Sequence, residues 1–426
     1  MTVANKLKSK QQQMLELLDQ IADTGKSLGI ILQNTEDTEM DGRTVVVNGK
    51  RMVNYTSCSY LGLELDKRLI KGSVDATTRY GTQFASSRSY LSMTLYSDVE
   101  RMLSEIFKMP VALSQTTSLG HISNIPILVG DNDAVVMDIS VHATVQEAVM
   151  LLHERKVTID RVRHNRMDLL EEKIIELSKT HEKIWYMADG VYSMFGDAAP
   201  LDELKNLLDK YDQFYLYIDD AHGMSWSGEN GAGYVFSKLS YHPKMYFTTS
   251  LAKGFGASGG VLAFPEKTNY HRVHDYGRTF IFSTQLAPPI LGAIKASAEL
   301  HLSGDIVKMQ EELKEKIDYF NETAKALNVP LHSETSTPVR FIALGKPQVG
   351  YNLVTRLMNT GLYTSLCVYP SVSYNNTGIR IALTRHLTKE DIYNLLNTIS
   401  QLLPEVLAEC GSSFKEINRY FKLAEN

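Results

Sequence analysis

Four short apolar runs in the middle of the chain limit the fold more than any other feature. They lie at 134–137, 184–187, 214–218 and 245–248. Each is continuous rather than alternating, and each is separated from the next by amphipathic sequence. Residues 142–153 form one such stretch. Met167, Leu170, Ile174 and Leu177 mark a second, and Leu201, Leu204, Leu208 and Tyr211 a third. Short apolar strands alternating with helices predict βαβ units and a parallel sheet covered on both faces. In such sheets ligands sit at the carboxyl ends of the strands. The residues that follow the four runs are Asp138, Asp189, Asp219 and Ser250, three of them acids.

The pattern changes after about residue 300. A helical stretch at 305–327 precedes expected strands at 339–344 and 380–383. A helix over 389–403 follows, with Thr388 and Asp391 placed as a capping box. This predicts an α/β protein of three parts: an N-terminal helix and arm over 1–56, a large domain over 57–300, and a smaller α+β domain over 301–426. Met14, Leu17, Leu18 and Ile21 recur at helical spacing and predict a helix that packs on the body or on a second subunit. The polar start at 1–13 leads into no apolar run of signal-peptide length, so no targeting segment is expected.

Charge and cysteine usage narrow the classes. Of 426 residues, 44 are Lys or Arg and 49 are Asp or Glu, a net charge of −5. Nothing in that balance calls for nucleic acid or an anionic membrane. No run of about 18 apolar residues exists, so no bilayer span is expected. Cys58, Cys367 and Cys410 are far apart. Neither a disulfide scaffold nor a metal site is expected, and a reducing, cytoplasmic setting fits.

Two adjacent segments carry chemistry. Asp219-Asp220-Ala221-His222-Gly223 closes one apolar run, and Thr249-Ser250-Leu251-Ala252-Lys253-Gly254-Phe255-Gly256 closes the next. Alone, an Asp-x-x-His at a strand end is more often a satisfied polar pair, and a lone lysine is usually solvated. Together, on successive strands, they are what pyridoxal 5'-phosphate requires. A lysine forms a Schiff base with the aldehyde. An acid keeps the pyridine nitrogen protonated, so that the ring acts as electron sink. Hydroxyls and backbone N–H groups hold the phosphate.

From about residue 41 to 396 the chain resembles the α-oxoamine synthases, fold-type-I pyridoxal-phosphate enzymes. The matching segments include Ser59-Tyr60-Leu61-Gly62-Leu63, Ser86-Ser87-Arg88, Ser140-Val141-His142-Ala143-Thr144, and His164-Asn165. They continue with the stretch from Asp189 to Leu201, the two segments above, Phe282-Ser283-Thr284, and Gly378-Ile379-Arg380-Ile381. The resemblance implies a mostly parallel central sheet with a smaller C-terminal domain. It implies Lys253 as the Schiff-base lysine and proton carrier at Cα, Asp219 on the pyridine nitrogen, and His222 and Ser193 on the phenolic oxygen. It places His142 against the ring face, and Ser250, Thr117 and Ser118 at the phosphate. Arg380 would clamp the substrate carboxylate, with Ser59 and Arg88 also on the substrate side. Thr284 would reach the cofactor of a neighbouring subunit, which makes a homodimer with shared sites an expectation.

The chain departs from the family pattern where substrates enter. Ser57-Cys58-Ser59 replaces the usual Ser-Asn-Asn or Ser-Asn-Asp, and Thr116-Thr117-Ser118 replaces a Ser-Gly-Phe-type segment. Ser92-Met93-Thr94 and then Ser97-Asp98-Val99-Glu100 stand where a glycine and then a histidine before Leu-Glu are usual. The implied reaction joins a small α-amino acid to an acyl thioester, acyl-CoA or acyl-carrier protein, usually with loss of CO₂. An aminotransferase uses the same Asp/Lys pair and is the alternative. A non-catalytic partner subunit is the other, and the joint presence of Lys253, Asp219 and His142 speaks against it.

Overall fold

The computed structural model describes residues 9–423. The first eight residues of the polar start, with Lys6 and Lys8, lie outside the described residues. The chain opens with helix Lys10–Ser27 and a hairpin of β1 (Thr44–Val47) and β2 (Lys50–Asn54). Seven strands then build the central sheet: β3 (Val111–Ser114), β4 (Ala134–Asp138), β5 (Thr158–Val162), β6 (Ile184–Asp189), β7 (Phe214–Asp219), β8 (Met245–Ser250) and β9 (Gly260–Ala263). Their order is β3-β9-β8-β7-β6-β4-β5. From β8 to β5 all pairings are parallel, and β9 runs against both β8 and β3.

Successive side chains point to opposite faces of a strand, and both faces here are covered. Ala134, Val136, Ile184, Tyr186 and Ala188 join one core with Val99 and Leu103 of helix Thr94–Phe107 and Leu291 of helix Pro288–Leu302. Val135, Met137, Trp185 and Met187 join the other with Ile125 of helix Thr117–Leu128 and Val145 of helix Ala143–Met150. Burial on both sides explains why the runs read as continuous rather than alternating.

A third core belongs to the C-terminal part. There β10 (Val339–Gly345), β11 (Leu362–Tyr363), β12 (Ser365–Cys367) and β13 (Thr377–Ala382) pack with helices Ile306–Ala326, Pro347–Asn359 and Lys389–Glu409. The strand expected at 380–383 sits earlier, because pairing with β10 sets its register. The helix expected over 389–403 runs on to Glu409, since Val406 and Leu407 continue its buried face, and a short helix Phe414–Phe421 follows. The Thr388–Asp391 capping box forms in both directions, at 3.1 and 2.8 Å. The N-terminal segment is built onto this C-terminal part. β2 pairs with β11, and Arg43 grips Asp391 at 2.6 Å. Tyr55, Tyr60 and Leu61 share the third core. No helix among the described residues is long and apolar enough to cross a membrane.

Candidate active site

Register along the sheet brings the acids together. Asp189 of β6 lies opposite Asp219 of β7, and Asp219 opposite Thr248 of β8. The strand ends border a cleft of about 250 Å³ lined by Thr116, Thr117, Ser118, His142, Thr144, Asp189, Val191, Asp219, Ala221, His222, Ser250 and Lys253. Seven of the residues singled out from the sequence therefore share one space: Lys253, His142, Asp219, His222, Ser250, Thr117 and Ser118.

The two neighbouring acids behave differently. Asp219 Oδ1 accepts from Ala221 N at 2.9 Å, and Oδ2 lies 3.0 Å from His121 Nε2. Burial would push this carboxyl up, but the hydrogen bond and charge of His121, with Lys253 and His142, hold it below its ordinary value. Asp220 instead accepts Val235 N at 3.0 Å, and burial pushes its carboxyl well up. Asp189 is also pushed well up, by burial and then by the charge of Asp219; its Oδ1 accepts the backbone N–H of His142 at 3.1 Å. Of the three, Asp219 is the one held as an anion in the cleft.

His142 is the N-cap of helix Ala143–Met150. Its Nδ1 accepts from Thr144 N at 3.3 Å, which places the ring proton on Nε2, and burial lowers its basicity. His222 is driven well below its ordinary value by burial and then by Lys253 and Arg380. Its Nδ1 is 2.7 Å from Tyr60 Oη. The Lys253 amine makes no hydrogen bond among the described residues, and burial pulls it below its ordinary value. At the opposite end Thr116 caps helix Thr117–Leu128 through Leu119 N at 3.1 Å. Thr117 and Ser118 thus sit where free helix N–H groups favour an anion. A Cβ at Gly260 would lie 2.5 Å from Thr117 N, so glycine there lets the helix start close onto the sheet edge.

Other expected residues are placed elsewhere. Arg380 on β13 is 7% exposed, and its Nε donates to the Ser193 carbonyl at 2.6 Å. Ser193 thus meets Arg380 through its backbone. Ser59 is buried beside Cys58, its hydroxyl without a partner. The chain does not bring Arg88 to the cleft. Arg88 pairs with Glu100 at 3.0 Å, donates to the Leu113 carbonyl and stacks on Tyr96 at 4.2 Å. It borders a separate cavity of about 440 Å³ with Tyr270 and His274. Thr284 is exposed and outside the cleft, next to Phe282, which is 84% exposed.

Two roles escape a reading of the sequence, although one of the residues, His164, lies in a segment that matches the family pattern. His121 is fully buried, bound to Asp219 on one side and to Tyr217 Oη at 2.8 Å on the other. The available signal was a pair of polar residues, His121 and Asn124, inside an otherwise apolar helix. The second is His164, which bridges Asp138 at 2.9 Å and Asp197 at 2.6 Å. Burial opposes its charge, but the two carboxylates raise it to about 9. That bridge pins the loop after β6 that carries Ser193.

The comparisons agree with this geometry. Residues 74–399 match the family "Aminotransferase class I and II". The chain is 31% identical over 386 residues to 8-amino-7-oxononanoate synthase of Fervidobacterium nodosum, covering 88% of this chain and 95% of that one. It is 28% identical over 373 residues to 8-amino-7-oxononanoate synthase 1 of Bacillus subtilis, covering 86% and 92%. Among solved structures, serine palmitoyltransferase of Sphingomonas wittichii superposes with a TM-score of 0.84 at 20% identity, over 94% of this chain and 99% of that one. The chain belongs to the aminotransferase class I and II family and, within it, to the α-oxoamine synthases. It is a pyridoxal-phosphate-dependent C-acyltransferase of the fold-type-I class.

The cleft fits the cofactor on its own evidence. It offers a buried carboxylate, a helix start with hydroxyls, and an amine without a hydrogen-bond partner among the described residues.

Proposed function

We propose that this enzyme condenses a small α-amino acid with an acyl-CoA, with loss of CO₂, to give an α-amino ketone. The observation that carries the reading is the grouping of Lys253, Asp219 and His142 on one cleft with the buried Arg380 beside it. Pyridoxal phosphate, when bound, supplies the electron sink that stabilises negative charge at Cα. Asp219, kept anionic by His121, would hold the pyridine nitrogen in its charged form. Thr117, Ser118 and Ser250 would hold the phosphate. His142, His222 and Ser193 would flank the ring and its phenolic oxygen, with His142 neutral and able to carry a proton on Nε2.

Lys253 would hold the cofactor's aldehyde carbon. Its amine, made less basic by burial, is suited to take and return the proton at Cα. Arg380 would bind the amino-acid carboxylate, a task for which a planar guanidinium is suited. Ser59, buried and following Cys58 in the chain, would complete that wall. Thr284, with the exposed Phe282 and Tyr276, would meet a second copy of the chain and complete its cleft. Acyl-carrier protein is the other acyl source that the same chemistry accepts.

The test is a matrix of amino acids against acyl thioesters, read by free thiol and CO₂ released in equal amounts. If no pair releases thiol, and a keto acid instead restores the cofactor's aldehyde form, the enzyme is an aminotransferase and this reading falls.

A further inference from the structure

Arg380 is more than nine-tenths buried, yet no described carboxylate pairs with it. Its Nε is taken by the Ser193 carbonyl, and Nη1 has no hydrogen-bond partner among the described residues. Nη2 points at Cys58 Sγ, 3.4 Å away. A buried cation without a counter-charge is costly. Cys58 touches the guanidinium and is able to supply that charge.

We propose that Cys58 is the internal counter-ion of Arg380, a thiolate that the substrate carboxylate replaces, so that amino-acid binding takes up one proton at this sulfur. The inference rests on the assignment of Arg380 to the carboxylate. In the free enzyme the pair is guanidinium and thiolate. When the carboxylate arrives at the free edge of Arg380, two anions would face one cation. The thiolate then accepts a proton from solvent and stays as a neutral thiol; at the sulfur only the S–H bond forms.

The surroundings favour this. Burial would push the thiol up, but Arg380 and then Lys253 pull it below its ordinary value. Tyr60, on the same segment, is held as a neutral phenol by burial, and its partner His222 as a neutral imidazole. The Cys367 thiol, on the strand beside Arg380, is pushed up to about 11 by burial and stays neutral. Arg380, joined by Lys253 where its amine is free, is thus the charge that sets the state of Cys58, and it favours the anion.

The experiment titrates the holoenzyme with glycine and L-alanine between roughly pH 6 and 9.5, following cofactor absorbance, for wild type, Cys58→Ser and Cys58→Asn. The amino group of the substrate titrates alike in all three, so the comparison isolates the thiol. The ratio of wild-type to variant Kd should be flat at low pH. Above the midpoint of Cys58 it should rise by about tenfold per pH unit. In parallel, iodoacetamide alkylation of Cys58, mapped by mass spectrometry, should show a midpoint below about 8.5. That midpoint should move up in Arg380→Lys and with saturating L-alanine. If the three proteins share one pH dependence of Kd while Arg380→Lys weakens binding, the counter-ion role is wrong and the carboxylate assignment stands. If Arg380→Ala binds both amino acids as wild type does, the carboxylate assignment falls and this inference with it.

Discussion

The two ends of the cleft are built by different means. The end proposed for the cofactor comes from the carboxyl edge of one sheet, where the register of β6, β7 and β8 sets Asp189 beside Asp219 and Asp219 beside Thr248, with Ser250 two residues further along β8. The substrate end comes from three distant segments, at Cys58, Ser193 and Arg380, meeting through a carbonyl and a sulfur. A sheet edge holds its residues through backbone pairing, so side chains there change one at a time. A wall assembled from separate segments is free to change chemistry without disturbing the sheet. Cys58, in place of the asparagine usual in the pattern the chain resembles, is a change of this kind.

The sharpest way to break the comparison is at Lys253. Lys253→Ala should abolish turnover, and borohydride treatment of wild type should label the peptide containing Lys253. Labelling of Lys238 or Lys244 would overturn the assignment. Next comes the contrast between the adjacent acids. Asp219→Asn should lower kcat by about 10²–10³-fold, as for loss of other electrostatic stabilisation. Asp220→Asn, whose carboxyl caps backbone at Val235, should leave kcat within about threefold and chiefly alter the denaturation midpoint. At the substrate end, Arg380→Lys should raise KM for the amino acid by about 10–100-fold with a smaller change in kcat. Equal losses in both parameters would move Arg380 from binding into the chemical step.

The smallest effect concerns the bridge behind the cleft. His164 is raised in the folded protein to about 9 from an ordinary 6.5. Its contribution to stability is therefore complete below about pH 6.5 and is lost as pH rises through about 9. The unfolding free energy from urea titrations should fall over that window, by at most about 3.4 kcal/mol, and His164→Gln should flatten the decline. A fall confined to acid pH would contradict the charged bridge.

The cofactor end was legible in the sequence because its signal is local. A short apolar run followed by an acid or a serine marks a buried parallel strand and its end, and Asp219 and Lys253 stand on successive runs. Asp220 beside Asp219 was the limit of that logic. One residue of offset turns the side chain to the other face, and only the packed structure says which carboxylate meets His121. His121 itself was hidden because its role depends on where helix Thr117–Leu128 crosses the sheet. Arg88 shows the same limit from the other side. The sequence placed it with the substrate, and within this chain it is occupied by Glu100 and Tyr96.

The pairing of distant segments also fixes an order of events during synthesis. The contact between Asp219 and His121 joins residues 98 apart, and the Thr117 end closes onto Thr249 across 132. Cys58 and Arg380 are separated by 322 residues, and β2 waits for β11 over a comparable span. Domains fold as units while the chain emerges, N-terminal sequence first. Here residues 44–60 cannot be seated until their C-terminal partners have emerged. The sheet and its cofactor end take shape while residues 44–60 remain without their partners. The contacts of Arg380 with Cys58 and Ser193 form only once the C-terminal strand β13 has arrived.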